Sequence, residues 1–362
     1  MGERKASSQK QPKEAISRSR TKDAEQIHQT QARPKIPVNL YGFIDLLSDF
    51  YREIQSSQQD LPDEAIQLIS RTLSFARSRL QGDDDQGAIQ SHLVALTNLS
   101  QVIESAHPVA LFGIATFAMF EVCCGSFGAW HCHLHGARSL LDLHCSNKTD
   151  LDGLVDRIPG LADVLAYLVW FDVTGALIQG RGLIFEDWHR GVLCPTFFES
   201  VGCPSGAFDL YSRLAEQNTQ RDVLEFSSLA MVQVINIHLA GESTDRSLAA
   251  VVYRCGGAIV AFGRAGHGNI EPTPAVYSDV IASMVDRVCD ALLRIPVTSR
   301  FYVHLATPVY LAGMYVTTES QRDTLRSYWR NCQQCEFPRY PDALEQCERR
   351  WGRVISGVDQ GI

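Results

Sequence analysis

Residues 108–122 read PVALFGIATFAMFEV and contain the longest uninterrupted apolar run of the chain, from Pro108 to Phe120. The run has no polar face, which is the pattern of a helix that is buried on every side. It is too short to cross a bilayer, and Glu121 ends it. We therefore predict a central helix here, with the rest of the chain packed around it.

The segments on either side of this run place large apolar residues three and four positions apart, which is the spacing of one helix face. The ranges for which this spacing or the surrounding breaks predict helices are 39–54, 62–76, 89–103, 130–143, 161–177, 208–214, 223–239, 245–262, 276–293, 321–332 and 342–355. Only residues 301–305 and 309–311 look like strands, because they are rich in β-branched and aromatic residues. The predicted fold is all-α, with residues 37–362 forming one large multi-helix domain.

The first 36 residues differ in composition from the rest. They hold nine Lys and Arg against four Asp and Glu, a net charge of +5, so the remaining residues carry −13 of the total charge of −8. Few large apolar side chains occur among them, and such a segment cannot bury enough surface to offset the entropy of ordering. We predict a disordered basic arm over residues 1–36.

Eleven cysteines are scattered through apolar segments, and their number is odd. This usage is typical of a reducing compartment rather than of a disulfide scaffold. The N-terminus carries no apolar signal segment, so we expect a soluble intracellular protein without a membrane span.

Three local patterns could carry chemistry, and each lacks a necessary part. His131 and His135 share a helix face, but no glutamate follows His131 and no third ligand is evident, so structural histidines are favoured over a metal site. Cys332 and Cys335 form one close pair, which leaves a redox dithiol open while ordinary thiols are favoured. The glycine-rich residues 263–268 follow a predicted helix and do not match a dinucleotide-binding loop. We predict no catalytic residue, no metal and no cofactor.

One segment has a specific pattern, formed by Glu121, Gly125, Trp130, His133, Gly136, Ala137, Leu140 and Leu141. Nearer the C-terminus, a second pattern is formed by Pro308, Ala312, Gly313 and Arg322. Both patterns resemble segments of a known family, the fungal-specific transcription factor domain of zinc-cluster regulators, and the resemblance covers approximately residues 90–355 in order.

These residue types suit a scaffold rather than a reaction. Gly136-Ala137 and Ala312-Gly313 offer small-residue notches where a second helix can approach closely. His133 is expected to be buried or half-buried and hydrogen-bonded, and Arg322 to pair with a helix C-terminus or with an acid in the core. The resemblance implies a nuclear transcription regulator that controls a fungal metabolic or secondary-metabolite gene cluster.

The chain also departs from the family, because no cysteine precedes Cys123 and the six-cysteine zinc cluster is missing. We therefore expect DNA to be bound only weakly or indirectly, and action through partner proteins of the transcription machinery, a DNA-binding regulator or a homodimer. A truncated gene model and a genuine loss both explain the departure. The alternative function is a helical module that senses a small molecule or binds a protein without a direct role in transcription.

Overall fold

The structure is a computed structural model that describes residues 48, 52, 63–81, 85–125, 128–216, 223–239, 244–266, 275–335 and 338–355. These residues belong to one compact unit, residues 36–362. The predicted arm over residues 1–36 lies outside the described residues. So does the predicted helix over residues 39–54, apart from Ser48 and Arg52, which are both helical.

The fold is all-α across the described residues, as the sequence predicts. Its α-helices are α1 (Asp63–Gln81), α2 (Asp85–Glu104), α3 (Ala110–Cys124), α4 (His131–Asp142), α5 (Lys148–Arg157), α6 (Leu161–Gln179), α7 (Pro195–Val201), α8 (Ser205–Ala215), α9 (Val223–Leu239), α10 (Asp245–Gly266), α11 (Ala275–Arg294), α12 (Ala306–Gly313), α13 (Glu319–Gln334) and α14 (Ala343–Ile355). Two 3-10 helices, η1 (Asp187–Val192) and η2 (Tyr302–Leu305), connect them.

The two strand-like segments are helical, which corrects the interpretation of residues 301–305 and 309–311. Tyr302–Leu305 is the 3-10 helix η2 and Ala306–Gly313 is α12. All eight residues of α12 are buried, and a short run that is buried on every side has no periodicity to separate strand from helix. Pro308 lies in the first turn of α12, where a missing backbone N–H is tolerated.

Besides η2 and α12, three further short helices were not predicted. Their segments are polar or contain proline, so they lack the apolar spacing of a helix face. Asn147 caps α5 by accepting a hydrogen bond of 3.1 Å from the backbone N–H of Asp150. Pro195 occupies the first turn of α7, where its fixed φ favours the helix. The third is the 3-10 helix η1, which packs against α6.

Helices α3 and α6 form the centre of the fold. Helix α3 contacts α1, α2, α4 and α6, and α6 in turn contacts α4, α8, η1 and α12. The second half is organised around α10, which contacts α8, α9, α11 and α12. Helix α6 is long and apolar enough to span a membrane by composition, but 83% of its most apolar window is buried inside the protein.

Glycine permits the closest approach between α10 and α12. A Cβ atom at Gly256 would lie 2.7 Å from Cβ of Pro308 and 2.6 Å from Oη of Tyr211. The Tyr211 hydroxyl donates a hydrogen bond of 3.0 Å to the carbonyl oxygen of Tyr253 one turn earlier in α10. These contacts join α8, α10 and α12 at one point.

His189 in η1 is a buried histidine with a relative exposure of 1%. Both of its ring nitrogens are buried, and the ring stacks on Trp188 with 3.6 Å between centroids. Burial, and next the nearby Arg138 charge, lower the pKa of His189 to about 4. The ring is therefore neutral in the folded protein at neutral pH.

We expect the protein to lose stability as the pH falls from 6.5 toward 4, because the unfolded chain protonates His189 at the higher pH. Urea unfolding of wild type and His189→Phe at pH 7 and pH 4.5 measures the effect. The free energy of unfolding of wild type relative to the variant should fall by about 1–3 kcal/mol between these pH values. An unchanged difference would show that His189 does not titrate as its burial implies.

Candidate functional site

The first group of predicted site residues lies at the corner between α3 and α4. Glu121 is in the last turn of α3, and Gly125 ends this helix with its N–H donating 2.9 Å to the carbonyl oxygen of Glu121. Trp130 is the residue that precedes α4, and His133 lies in its first turn. The sequence motif thus spans one helix–helix corner of the central layer.

Trp130 fills the space behind this corner and is 1% exposed. One face of its ring stacks on Tyr340, with 5.3 Å between centroids. Its edge lies against Gly175 of α6, where an added Cβ would be 2.8 Å from the indole Nε1. Trp130 therefore requires a glycine at position 175. Through Gly175 and Tyr340 it contacts two segments that are distant from it in the sequence.

Helix α4 confirms only part of the predicted notch. Ala137, Leu140 and Leu141 are buried in the core. Gly136 is exposed, and an added Cβ would meet nothing within 4 Å. The expectation that Gly136 admits a neighbouring helix is wrong, because no other element in the described part of the chain lies beside it. The close approach is instead made by Gly175, against the edge of Trp130.

Glu121, Gly125 and His133 line a surface pocket between α1, α2, α3 and α4 with a volume of about 520 Å³. An added Cβ at Gly125 would lie 1.7 Å from the Oε2 atom of Glu121. A larger residue at position 125 would therefore displace the carboxylate. The pocket also includes Ile89, Leu96 and Cys124 at its walls.

Five rings form the apolar part of the pocket. Phe75 and His92 stack with 4.9 Å between centroids, and His92 and Phe117 stack with 5.3 Å between centroids. Phe117 is also stacked on His133 at 6.3 Å, while Phe120 is tilted against Phe75 at 4.6 Å. These rings pack on one another and together form an aromatic wall of the pocket.

Burial lowers the pKa of His133, and the nearby Glu121 carboxylate opposes this by favouring the charged ring. The lower pKa makes His133 mainly a neutral donor and acceptor at neutral pH. Glu121 is the carboxylate among the described lining residues, and it is half-buried. The pocket therefore combines an aromatic wall with one acidic hydrogen-bond acceptor.

The second group of predicted site residues lies on α12 and α13 and does not line this pocket. Pro308, Ala312 and Gly313 are all buried. An added Cβ at Gly313 would be 2.8 Å from Sγ of Cys347, and the indole N–H of Trp351 donates 2.8 Å to the Gly313 carbonyl oxygen. Gly313 thus provides the close approach that was predicted, here to α14.

Arg322, the last of these residues, pairs with an acid on its own helix. It donates from Nη1 to Oε2 of Glu319 over 3.0 Å, and its guanidinium lies 6.0 Å from the ring centroid of Trp351. Since Glu319 is largely exposed, the pair is at the surface edge of the core. The contact joins the start of α13 to α14.

The histidine and cysteine patterns do not converge on a metal site among the described residues. The rings of His131 and His135 are 4.5 Å apart, but no group of three or more His, Cys, Asp or Glu that could hold a metal is found in this part of the chain. Cys332, Cys335 and Cys347 are buried free thiols.

The fungal specific transcription factor domain matches residues 44–249, more than half of the 362-residue chain. The chain belongs to this family, and its class of function is transcription regulation. No curated protein and no solved structure matches the chain.

The match includes the motif corner and ends before Pro308, so the resemblance of residues 308–322 lies outside it. Sequence reasoning did not single out Phe75, His92 and Phe117 as lining residues of a pocket. It also missed Gly175 and Tyr340, because each is defined by a contact with Trp130. The aromatic residues on helices next to the motif were the available signal.

We predict opposite effects for two Gly→Ala substitutions. Gly175→Ala should destabilise the protein by about 1–3 kcal/mol, because its Cβ collides with the Trp130 ring. Gly136→Ala should stabilise it by about 0.5–1 kcal/mol, since the added methyl meets open space and alanine favours the helix. Urea denaturation followed by tryptophan fluorescence tests both, and a destabilising Gly136→Ala would restore the notch interpretation.

Proposed function

We propose that this protein is a nuclear transcription regulator that controls a fungal metabolic or secondary-metabolite gene cluster through its helical domain. The observation that carries the proposal is the family match over residues 44–249, within which the Trp130 corner is fully packed. A domain of this kind supplies regulation through surfaces and pockets rather than through chemistry.

Protein partners, rather than this chain alone, would supply most of the contact with DNA. Residues 1–122 contain no cysteine, so a six-cysteine zinc cluster does not lie within them. The net charge of −8 also lacks the basic excess of a chain that coats DNA. We propose that the partner is a DNA-binding regulator or a component of the transcription machinery, with a second copy of this chain as a further option.

Deletion of the gene in its native host should change the transcript levels of a set of neighbouring metabolic genes. Full-length wild type should restore these levels, and a fluorescently tagged copy should be found in the nucleus. Gly136→Ala, whose added methyl meets nothing within 4 Å, should restore these levels as well. Unchanged transcripts after deletion, or exclusively cytosolic fluorescence, would contradict the regulatory function.

A second candidate function is small-molecule sensing, and the pocket between α1 and α4 favours it. Its volume of about 520 Å³ lies within the range that ligand sites occupy in proteins. The stacked rings of Phe75, His92 and Phe117 favour a planar aromatic ligand, and the Glu121 carboxylate favours one with a hydrogen-bond donor or a positive charge. A planar aromatic amine combines both features.

We expect a fluorescent aromatic amine such as 1-naphthylmethylamine to bind at least tenfold more tightly than 1-naphthoate, which places a negative charge beside Glu121. Fluorescence titration of the full chain measures both affinities. Glu121→Gln keeps the shape of the side chain and should remove most of this preference, while Cys124→Ser at the same rim should retain it. Equal binding of the two ligands by wild type would exclude the acidic recognition.

A further inference from the structure

Arg339 is a buried arginine in the connection between α13 and α14. Its side chain is part of the core, with a relative exposure of 4% for the residue. The guanidinium is directed toward α3, where Nη1 lies 2.7 Å from Sγ of Cys123 and Nη2 lies 4.0 Å from Sδ of Met119. Both contacts are with sulfur rather than with a carboxylate.

The positive charge of Arg339 has no ion-pair partner among the described residues, in contrast to the surface arginines. Arg138 and Arg326, for example, each bind carboxylates at 3.0 Å or less. An arginine stays protonated even when buried, so the charge needs compensation from another source.

The neighbouring thiols do not supply a negative charge. Burial raises the pKa of Cys123 to about 11, and burial likewise raises the pKa of Cys332 to about 11. Both thiols are therefore neutral at physiological pH despite the nearby guanidinium. Among the described residues, the groups that the Arg339 guanidinium contacts are therefore neutral.

A small cavity of about 10 Å³ adjoins this cation, which is room for one species of about the size of a water molecule. Its polar lining consists of Tyr167 from α6, His304 from η2, Thr307 from α12, and Arg339 with Tyr340. The hydroxyls of Thr307 and Tyr340 lie 3.0 Å apart and hydrogen-bond to each other, which leaves the Tyr167 hydroxyl, the His304 ring and the guanidinium as donors. No carboxylate is among the described lining residues.

Two of these groups remain donors over a wide pH range. Burial raises the pKa of Tyr167 to about 12, so its hydroxyl keeps its proton. Burial lowers the pKa of His304 to about 3, which keeps its ring neutral with one N–H to donate. The donor set together with Arg339 is complementary to an anion.

We propose that this cavity binds a small monovalent anion of the chloride class, with Arg339 as its counter-charge. The site goes beyond the proposed regulatory function and does not depend on it. Binding would hold the connection around Tyr340 in place, where the Tyr340 N–H donates 3.0 Å to the carbonyl oxygen of Val122. Because Tyr340 also stacks on Trp130, the anion would stabilise the motif corner from behind.

The test is the thermal unfolding midpoint of the full chain at constant ionic strength, with sodium chloride or bromide replacing sodium gluconate. An anion that binds the folded state raises the midpoint in a saturable way, whereas gluconate is too large for the cavity. Crystals grown with bromide should show anomalous scattering beside the Arg339 guanidinium. Equal midpoints in chloride and gluconate would overturn the proposal, and so would bromide crystals with only water in the cavity.

Variants separate this site from general salt effects. Arg339→Met removes the charge and keeps the length of the side chain, so it should abolish the chloride response. Arg213→Met, on the surface, is the control and should retain the response. Should Arg339→Met fail to fold, Tyr167→Phe tests the same site by removing one hydroxyl. It should weaken the apparent chloride affinity about five- to tenfold. A chloride response that persists undiminished in both Arg339→Met and Tyr167→Phe would overturn the assignment.

Discussion

The packing of Trp130 between Gly175 and Tyr340 is the constraint on which the rest of the structure depends. The indole touches α6 at Gly175, where a Cβ atom would collide with the ring, and it stacks on Tyr340, which lies 210 positions further along the chain. The α3–α4 corner, the central helix α6 and the connection before α14 are thus held by one ring. A fully buried aromatic side chain at such a junction stabilises the folded state through area and shape together.

Three consecutive residues of α3 connect this junction to the pocket. Glu121 lines the pocket, the carbonyl oxygen of Val122 accepts from the Tyr340 N–H, and Sγ of Cys123 accepts from Arg339. A ligand that moves the end of α3 would therefore act on the contact with Tyr340 as well. This gives the family motif a physical meaning, since its residues face the pocket on one side and the packed junction on the other.

Much of the fold could be predicted because the helices carry their own patterns. The apolar run over residues 108–122 specifies a buried helix by composition alone, and the recurring spacing of apolar residues specifies the amphipathic ones. The site was only partly predictable. Glu121, Gly125 and His133 were identified through the motif and do meet in the pocket, whereas Phe75 and His92 come from separate helices whose crossing no local pattern encodes.

The sequence by itself determined the helical class, the family motif and which residues are apolar enough for the core. These properties depend on local propensity and on the spacing of apolar residues. Tertiary structure alone decided that Gly136 faces solvent while Gly175 receives Trp130, and that residues 302–313 are helical rather than extended. It also decided that Arg339 is buried among thiols and hydroxyls. These outcomes depend on which surfaces meet, and contact between residues far apart in the chain is a property of the packed core.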